Sequence, residues 1–442
     1  MRTLPRPTRK RSGAVPKPPI PAAAPRPVEV TVERIGIAGD GIAHWHDQTL
    51  YLPFTAPGDR VLAVPTAPRA KGCEGRVVGL IAAGTGRVAP CCHHFGVCGG
   101  CALQHLSPAL YRETKLDGLR RALRRVGIDP QIVAPLRQVA VARRRVSLGL
   151  VHPRNRRQTG VIGFRERFRH NLVDIAECPV MEPALLALAM ALRPLVPMLL
   201  PPGGRAEATL TRTDSGLDLL LTMPEEPPLP ALEALVDFAH RHDLARIVWR
   251  SAAGDRPVIQ RRPVRIVRAG IAIGFPPGAF IQPSETAEAL LVDEVSAAVG
   301  GARPVLDLFA GLGTFGFALA ASGPVHMVEG DPMAAAALAA AARGCAAATV
   351  ERRDLARDPL PPEALAAYRA AVFDPPRAGA ARQAEALARS TVATVVAVSC
   401  NPATFARDAA TLIAGGFRIE RLVAVDQFVW SPHLELIGVF RR

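Results

Sequence analysis

The pattern of apolar and polar positions changes character along the chain. From Val28, short alternating runs come first: VEVTVERI, TLYLPF, RVLAVP and EGRVVGLIAAG. Gly36, Gly39, Gly41 and the turn Ala56-Pro57-Gly58-Asp59 part them. Period-two alternation with closely spaced turn residues predicts five or so short strands, a small β-barrel of oligonucleotide-binding type. Ser107 then caps a helix from about Pro108 to Val126. RRRVSLGLVH, TGVIGFRERF and NLVDIAEC read as paired strands, and PALLALAMALRPLVPMLL as an apolar core helix. Residues 206–270 read as strands around the helix LPALEALVDFAHRH.

From about Ile271 the period alternates between strand and helix. SETAEALLVDEVSAAVG is a helix begun by Ser284. VLDLFAG, VHMVEG, ATVERRD, AVFDPP and TVVAVSC are short apolar runs separated by Ala-rich helices. Such runs predict parallel strands buried on both faces. FRIERLVAVDQF and HLELIGVF predict a closing antiparallel hairpin. The result is an α/β fold, a doubly wound sheet with a reversed last strand. The expected organisation is a basic Pro-rich tail (1–27), a barrel (28–90), a mixed α+β domain (91–270) and the wound domain (271–442).

Charge narrows the partners. The net charge is +15, and residues 1–27 supply seven of those charges with no acid, among eight prolines. That tail reads as disordered, and a surplus of eight remains on the rest. A basic fold suggests a polyanion, nucleic acid first. Arg143, Arg144, Arg145, Arg154, Arg156, Arg157, Arg165, Arg167 and Arg169 form the densest basic stretch, and phosphate contact is the favoured reading. Lys115, Arg120, Arg121, Arg124 and Arg125 give the first helix a basic face, and Arg34, His44, His46 and Arg60 are candidates on the barrel. No apolar run reaches the roughly 18 residues of a membrane span, and no secretory signal is read at the start. Most of the eight cysteines crowd one stretch, which favours metal or catalysis over disulfides and fits a reducing cytoplasm.

Candidate chemistry lies at strand ends. Cys400 stands between the strand TVVAVS and Pro402, a residue suited to the first turn of a helix. A thiol there can be activated by helix-start N–H groups. Val305-Leu306-Asp307-Leu308-Phe309-Ala310-Gly311-Leu312-Gly313-Thr314 is a strand running into a Gly-rich turn. Glu329, Asp354 and Asp374-Pro375-Pro376-Arg377 end the next three strands. Together these ends resemble class I S-adenosylmethionine (SAM) methyltransferases. A nicotinamide-binding fold is the weaker alternative, since nothing else suggests hydride transfer. Cys92-x5-Cys98-x2-Cys101 with distant Cys178 supplies four thiols for a [4Fe–4S] cluster or structural zinc; spacing does not choose, nor does it separate Cys92 from Cys91.

CHHFGVCGGCALQH, GFRERFRHNLVDIAECPVMEP, GAFIQPSE, VLDLFAGLGTFG, DPPRAGA and SCNPATFARD resemble the RNA uracil-C5 methyltransferase family over nearly everything after residue 28. The likeness is greatest to members acting on 23S ribosomal RNA, which carry an N-terminal TRAM barrel and a [4Fe–4S] domain. The resemblance implies methyl transfer from SAM to C5 of a uridine, with ribosomal RNA favoured and transfer RNA as alternative. A base-N-methyltransferase using Asp374-Pro375-Pro376 is the chemical rival. The resemblance further implies Cys400 as nucleophile and Glu435 as general base. It implies Cys92, Cys98, Cys101 and Cys178 as cluster ligands, and Gln282, Phe309, Thr314, Glu329, Asp354 and Asp374 as SAM contacts. Thr314 stands where Asn is usual, and Val429-Trp430-Ser431 replaces the family's Pro-His-Thr. The chain is expected to act as a monomer, away from membranes.

Overall fold

The computed structural model describes residues 26–140, 142–155, 159–167 and 171–442. The expected tail lies outside the described residues up to Pro25, as do Arg156, Arg157 and Arg169. The chain forms two compact units. One holds the chain up to Gly36 together with Asp40–Arg87; the other holds Ile37–Gly39 and Val88–Arg442. No helix among the described residues is long and apolar enough to cross a membrane.

In the first unit, six strands form one sheet in the order Val28–Thr31, Arg60–Pro68, Cys73–Ala82, Gln48–Leu52, Gly41–Trp45, Arg34–Ile35. Alternate residues point inward, and Val30, Val32, Leu50, Leu52 and Val61 make the core. Two of the candidate basic residues are already matched within the unit: His44 Nδ1 lies 2.8 Å from Glu33, and Arg60 bonds Glu29.

The second unit contains two sheets that matter for the site. The first has the order Gly254–Gln260, Leu244–Ser251, Gly216–Thr222, Arg205–Thr213, Arg145–Val151, Val161–Gly163. Its only parallel pair among the described residues is bridged by helix Leu229–Arg241, as a parallel crossover requires. The apolar run after Cys178 is not one helix. Helix Pro183–Leu192 ends in a 3₁₀ turn, and a short helix Val196–Leu199 follows. Pro194 and Pro197 explain the break, since neither has an amide to donate. NLVDIAEC forms no strand; it carries only the single bridge Leu172–Arg165.

The second sheet carries the chemistry. We label its strands β1 (Val305–Leu308), β2 (Val325–Glu329), β3 (Ala348–Arg352), β4 (Ala370–Phe373), β5 (Thr394–Ser399), β6 (Arg418–Asp426) and β7 (Glu435–Arg441). They lie in the order β3-β2-β1-β4-β5-β7-β6. β1 to β5 are parallel, and β7 runs antiparallel between β5 and β6. This is the expected doubly wound sheet with its last strand reversed. The residue pair Arg137–Gln138 adds an unexpected eighth strand beside β6.

Every residue of β1, β4 and β5 is buried, because helices cover both faces. Leu306, Leu308, Phe373, Val395 and Ala397 face a cluster with helices Ala381–Arg389 and Pro402–Ala414. Val305, Val372, Val396 and Val398 face helices Glu285–Val299, Gly316–Ala320 and Pro332–Ala342. Helix Pro108–Arg125 joins the first face through Leu116, Leu119 and Leu123. This corrects the reading of its basic face. Lys115 is buried, and Arg120 and Arg121 pair with Glu113 and Asp117 on the same helix.

Candidate active site

Parallel strands all end at one edge, and a strand reversed between them starts there. Glu329 is the last residue of β2, Asp374 and Cys400 directly follow β4 and β5, and Glu435 is the first residue of β7. Ser399 pairs with Leu436, so Cys400 and Glu435 occupy the next register position across the β5–β7 ladder. The sheet thus gathers residues separated by about a hundred positions of sequence, at the crevice where wound sheets bind ligands.

Cys400 is followed by a well-formed helix start. Asn401 accepts from the Ala403 amide (3.0 Å), and Pro402 opens helix Pro402–Ala414. The same turn fixes the loop after Asp374: Asn401 Nδ2 donates to Arg377 O (3.0 Å), and the Ala380 amide donates to buried Asp408 (2.7 Å). The two loops therefore hold one another. The helix start does not leave the thiol activated. Burial raises the Cys400 pKa, Glu435 and Asp374 add to the rise, and Arg377 opposes it.

Glu435 is buried, Asp374 is half-buried, and two amides join them. Gln282 Nε2 donates to Asp374 Oδ2 (3.2 Å), and Gln427 Nε2 donates to Gln282 Oε1 (3.0 Å) and Glu435 Oε2 (2.6 Å). Burial pushes Asp374 up to about 7 despite its Gln282 bond. Burial and then Asp374 push Glu435 well above the carboxylate range, against the pull of Gln427. Such a pair titrates as a unit. Asp307, one residue before the end of β1, is pushed up to about 8 by burial.

These shifts fix the sign of a pH dependence. Cys400, Glu435 and Asp374 all have raised pKa values, so their anions are lost as pH falls. Any reaction needing Cys400 and Glu435 as anions is expected to accelerate from about pH 6 to about pH 9. A methyl-transfer rate that is flat or falls over that range contradicts this.

Gln282 itself is set by a side chain first read as a phosphate ligand. Arg144 is buried; its Nε donates to Gln282 O (3.0 Å) and its Nη2 to Glu288 (2.5 Å), which Arg268 also meets (2.9 Å). Arg145 donates to Gly278 O (3.2 Å). Both are committed internally, whereas Arg154 and Arg165 are exposed. The arginine stretch therefore has two jobs, and only part of it faces solvent.

At the Gly-rich turn, Gly311 has φ +56° with nothing within 4 Å of the place a Cβ would take. That open, glycine-only backbone is a cradle a side chain would fill. Glu329 closes it: its Oε2 accepts from the Gly311 amide (2.7 Å) and its Oε1 from the Asp331 amide (2.7 Å). Phe309 (φ +60°) and Thr314 are half-buried on the same turn. Asp354 lies past β3, where its Oδ1 caps the turn at Ala356 (3.1 Å). Turn, Glu329 and Gln282–Asp374 together fit a nucleoside bearing an amino-acid tail.

The cysteine block forms a second constellation. Cys92, Cys98, Cys101 and Cys178 are free thiols. Burial raises each pKa, Cys101 to about 12, and Cys178 acts electrostatically on the other three. Cys91 is exposed and turned to Gln104. Gly99 is required where it stands, since a Cβ would fall 2.8 Å from Arg165 O. Among the described residues no three His, Cys, Asp or Glu side chains converge as a single-ion site.

The block and the helix after it also grip the terminal hairpin. The amides of Ala102 and Leu103 donate to Trp430 O (2.7 and 3.0 Å), in the loop between β6 and β7. Tyr111 accepts from the Trp430 amide (2.9 Å) and donates to Asp426 (2.6 Å). Lys115 Nζ donates to Asp426 (2.6 Å), Phe428 O (3.0 Å) and His433 O (2.6 Å). Sequence reasoning missed Gln427 and misplaced Lys115. The strand-end rule that found Glu329 also applies to Asp426-Gln427; nothing local marks Lys115.

Residues 363–442 match the family model tRNA (Uracil-5-)-methyltransferase. An uncharacterized RNA methyltransferase of Caulobacter vibrioides is 41% identical over 426 residues, 94% of this chain and 100% of that protein. A 23S rRNA (uracil(1939)-C(5))-methyltransferase of Halomonas elongata is 34% identical over 429 residues, 92% of this chain and 88% of that protein. The crystal structure of a Pyrococcus abyssi tRNA (uracil-54, C5)-methyltransferase with S-adenosyl-L-homocysteine shares the fold. Its TM-score is 0.71 at 24% identity, over 93% of this chain and 100% of that one.

Proposed function

The chain belongs to the RNA uracil-C5 methyltransferase family, and on that premise we propose that Cys400 and Glu435 methylate a uridine of 23S ribosomal RNA. The observation that carries the residue roles is the meeting of Cys400, Glu435 and Asp374 at one sheet edge beside the open Gly311 turn.

The residue types follow from the chemistry. C5 of uracil is a weak nucleophile. Attack of the Cys400 thiolate on C6 places an electron pair at C5. Bound SAM supplies an electrophilic methyl group on a positive sulfonium. Gln282, Phe309, Thr314, Glu329, Asp354 and Asp374 would hold it, the Gly311 turn leaving the backbone open to it. Glu435 then takes the C5 proton, the pair re-forms the C5–C6 double bond, and the thiolate of Cys400 leaves. Asp374 holds the uracil edge or the SAM amino group. The base reaches Cys400 only out of its stack, which is cheapest in an RNA loop. Exposed arginines and the barrel supply phosphate and stacking contacts.

The ribosomal substrate is supported by the Halomonas elongata relative, which spans most of both chains. Mapping 5-methyluridine in total RNA from cells with and without this gene tests it. A loss confined to 23S ribosomal RNA is expected. A loss confined to transfer RNA moves the substrate, and an N-methylated base with no lost 5-methyluridine refutes the chemistry.

Cys92, Cys98, Cys101 and Cys178 would hold a [4Fe–4S] cluster. Cys178 lies within electrostatic reach of the other three, and the family resemblance favours a cluster over zinc for this donor set. An anaerobic preparation is expected to be brown with about four irons per chain. Zinc in place of iron would overturn the assignment.

A further inference from the structure

Gln427 follows β6 directly and is 3% exposed. Its amide has two N–H groups and two acceptors, Gln282 Oε1 at 3.0 Å and Glu435 Oε2 at 2.6 Å. Its own Oε1 is buried with no hydrogen-bond partner. The donor side therefore fixes the amide: turned over, it would set a carbonyl oxygen against two acceptor oxygens. Burying an unpaired amide oxygen is unfavourable, so the arrangement persists because the two donor bonds outweigh it. No step assigned above uses Gln427.

We propose that Gln427 is a positioning residue for the proton-removal step, holding Glu435 by one carboxylate oxygen and leaving the other for the C5 proton. The inference rests on the reading of Glu435 as the base. In that step the C5–H electron pair closes the C5–C6 double bond, the C6–Sγ bond breaks with its pair returning to Cys400, and the proton passes to Glu435. Gln427 keeps the carboxylate both oriented and hydrogen-bonded in its charged form. Through Gln282 it also ties that carboxylate to Asp374. Removing the donors leaves attack and methyl transfer possible but starves the last step.

The test compares native protein with Gln427→Met, which keeps the length and loses both donors. Transcripts of 23S ribosomal RNA and of transfer RNA are made with uridine or with 5-fluorouridine, and SAM is added. With 5-fluorouridine no C5 proton exists to remove, so both proteins are expected to trap a covalent adduct on denaturing gels. That reports a folded site and intact attack. With uridine, native protein turns over, while Gln427→Met accumulates adduct and releases product about tenfold to a hundredfold more slowly. The pH limb of its turnover should also move up, because the Gln427 bond opposes protonation of Glu435. Native release rate and pH profile in Gln427→Met would overturn the inference. So would loss of the 5-fluorouridine adduct in that variant alone, which would give Gln427 a role in folding or attack. If native protein traps no adduct either, the reading of Cys400 fails instead.

Discussion

Replacing Cys400 with alanine is expected to abolish both methyl transfer and covalent RNA adduct, while RNA and SAM binding persist. The change removes one sulfur from a half-buried position at the end of β5. Neither the β5 ladder nor the Asn401 cap uses that sulfur, so the helix start and the Asp374 loop stay in place. Without a nucleophile at C6, C5 has no electron pair to offer the methyl group. The remaining groups bind but do not activate, so the rate should fall by at least about 10⁴-fold. Methyl incorporation from labelled SAM, denaturing gels for the adduct and a binding titration check the three parts. Substantial product from this variant would remove the thiol from the mechanism.

Lys115→Met is expected to be the most destabilising single change outside the apolar core. The Lys115 and Asp426 side chains are wholly buried and 2.6 Å apart. The ammonium has three hydrogens and three acceptors, so nothing is left over. Burial nevertheless lowers the Lys115 pKa to about 8, Asp426 resisting the fall. The pair is therefore a costly arrangement held by geometry, and breaking it from one side is worse than never making it. Methionine would leave Asp426 with Tyr111 alone and take the donor from His433 O, while Phe428 O keeps its bonds from Ser431. A loss of about 3–5 kcal/mol in urea unfolding is expected. Asp426→Asn added to Lys115→Met should recover part of it, giving a coupling of about 1–3 kcal/mol. Additive losses, or a single loss below about 1 kcal/mol, would mean the pair is incidental. The same contacts predict that a fragment beginning at residue 271 folds poorly, since it lacks Lys115 and the Leu116, Leu119 and Leu123 face.

What could be read from the sequence has a common cause. β1, β4 and β5 are legible because each is an apolar run covered on both faces, and the strand-end residues because wound sheets end their strands at one edge. Glu329, Asp374 and Cys400 needed only that rule, whereas Glu435 came from the family resemblance. Two of the errors are long-range. Arg144 looks like its neighbours until Glu288, 144 positions away, is folded against it. Lys115 reads as one more base on a charged helix until Asp426, 311 positions away, claims it. The break after Leu192 was written in Pro194 and Pro197, but the apolar pattern outweighed it. The Cys400 thiol was misjudged because a helix start was visible and the carboxyl groups across the crevice were not.

The grip on the hairpin bears on how this loop is able to vary. Trp430 holds a left-handed conformation, φ +57°, that its side chain does not favour. It is kept there through its own carbonyl and amide, and the neighbouring holds fall on the carbonyls of Phe428 and His433. Every one of these anchors is a main-chain atom of the loop. Val429 and Trp430 can therefore differ from the family's Pro-His without releasing the ends that carry Gln427 and Glu435, while Ser431 keeps the hydroxyl of the family's Thr, which donates to Phe428 O and accepts from the His433 amide. Drift at the tip is uncoupled from the register of the base. A lineage, or a designer, has two side chains, those of Val429 and Trp430, with which to reshape the tip while Glu435 stays where it is.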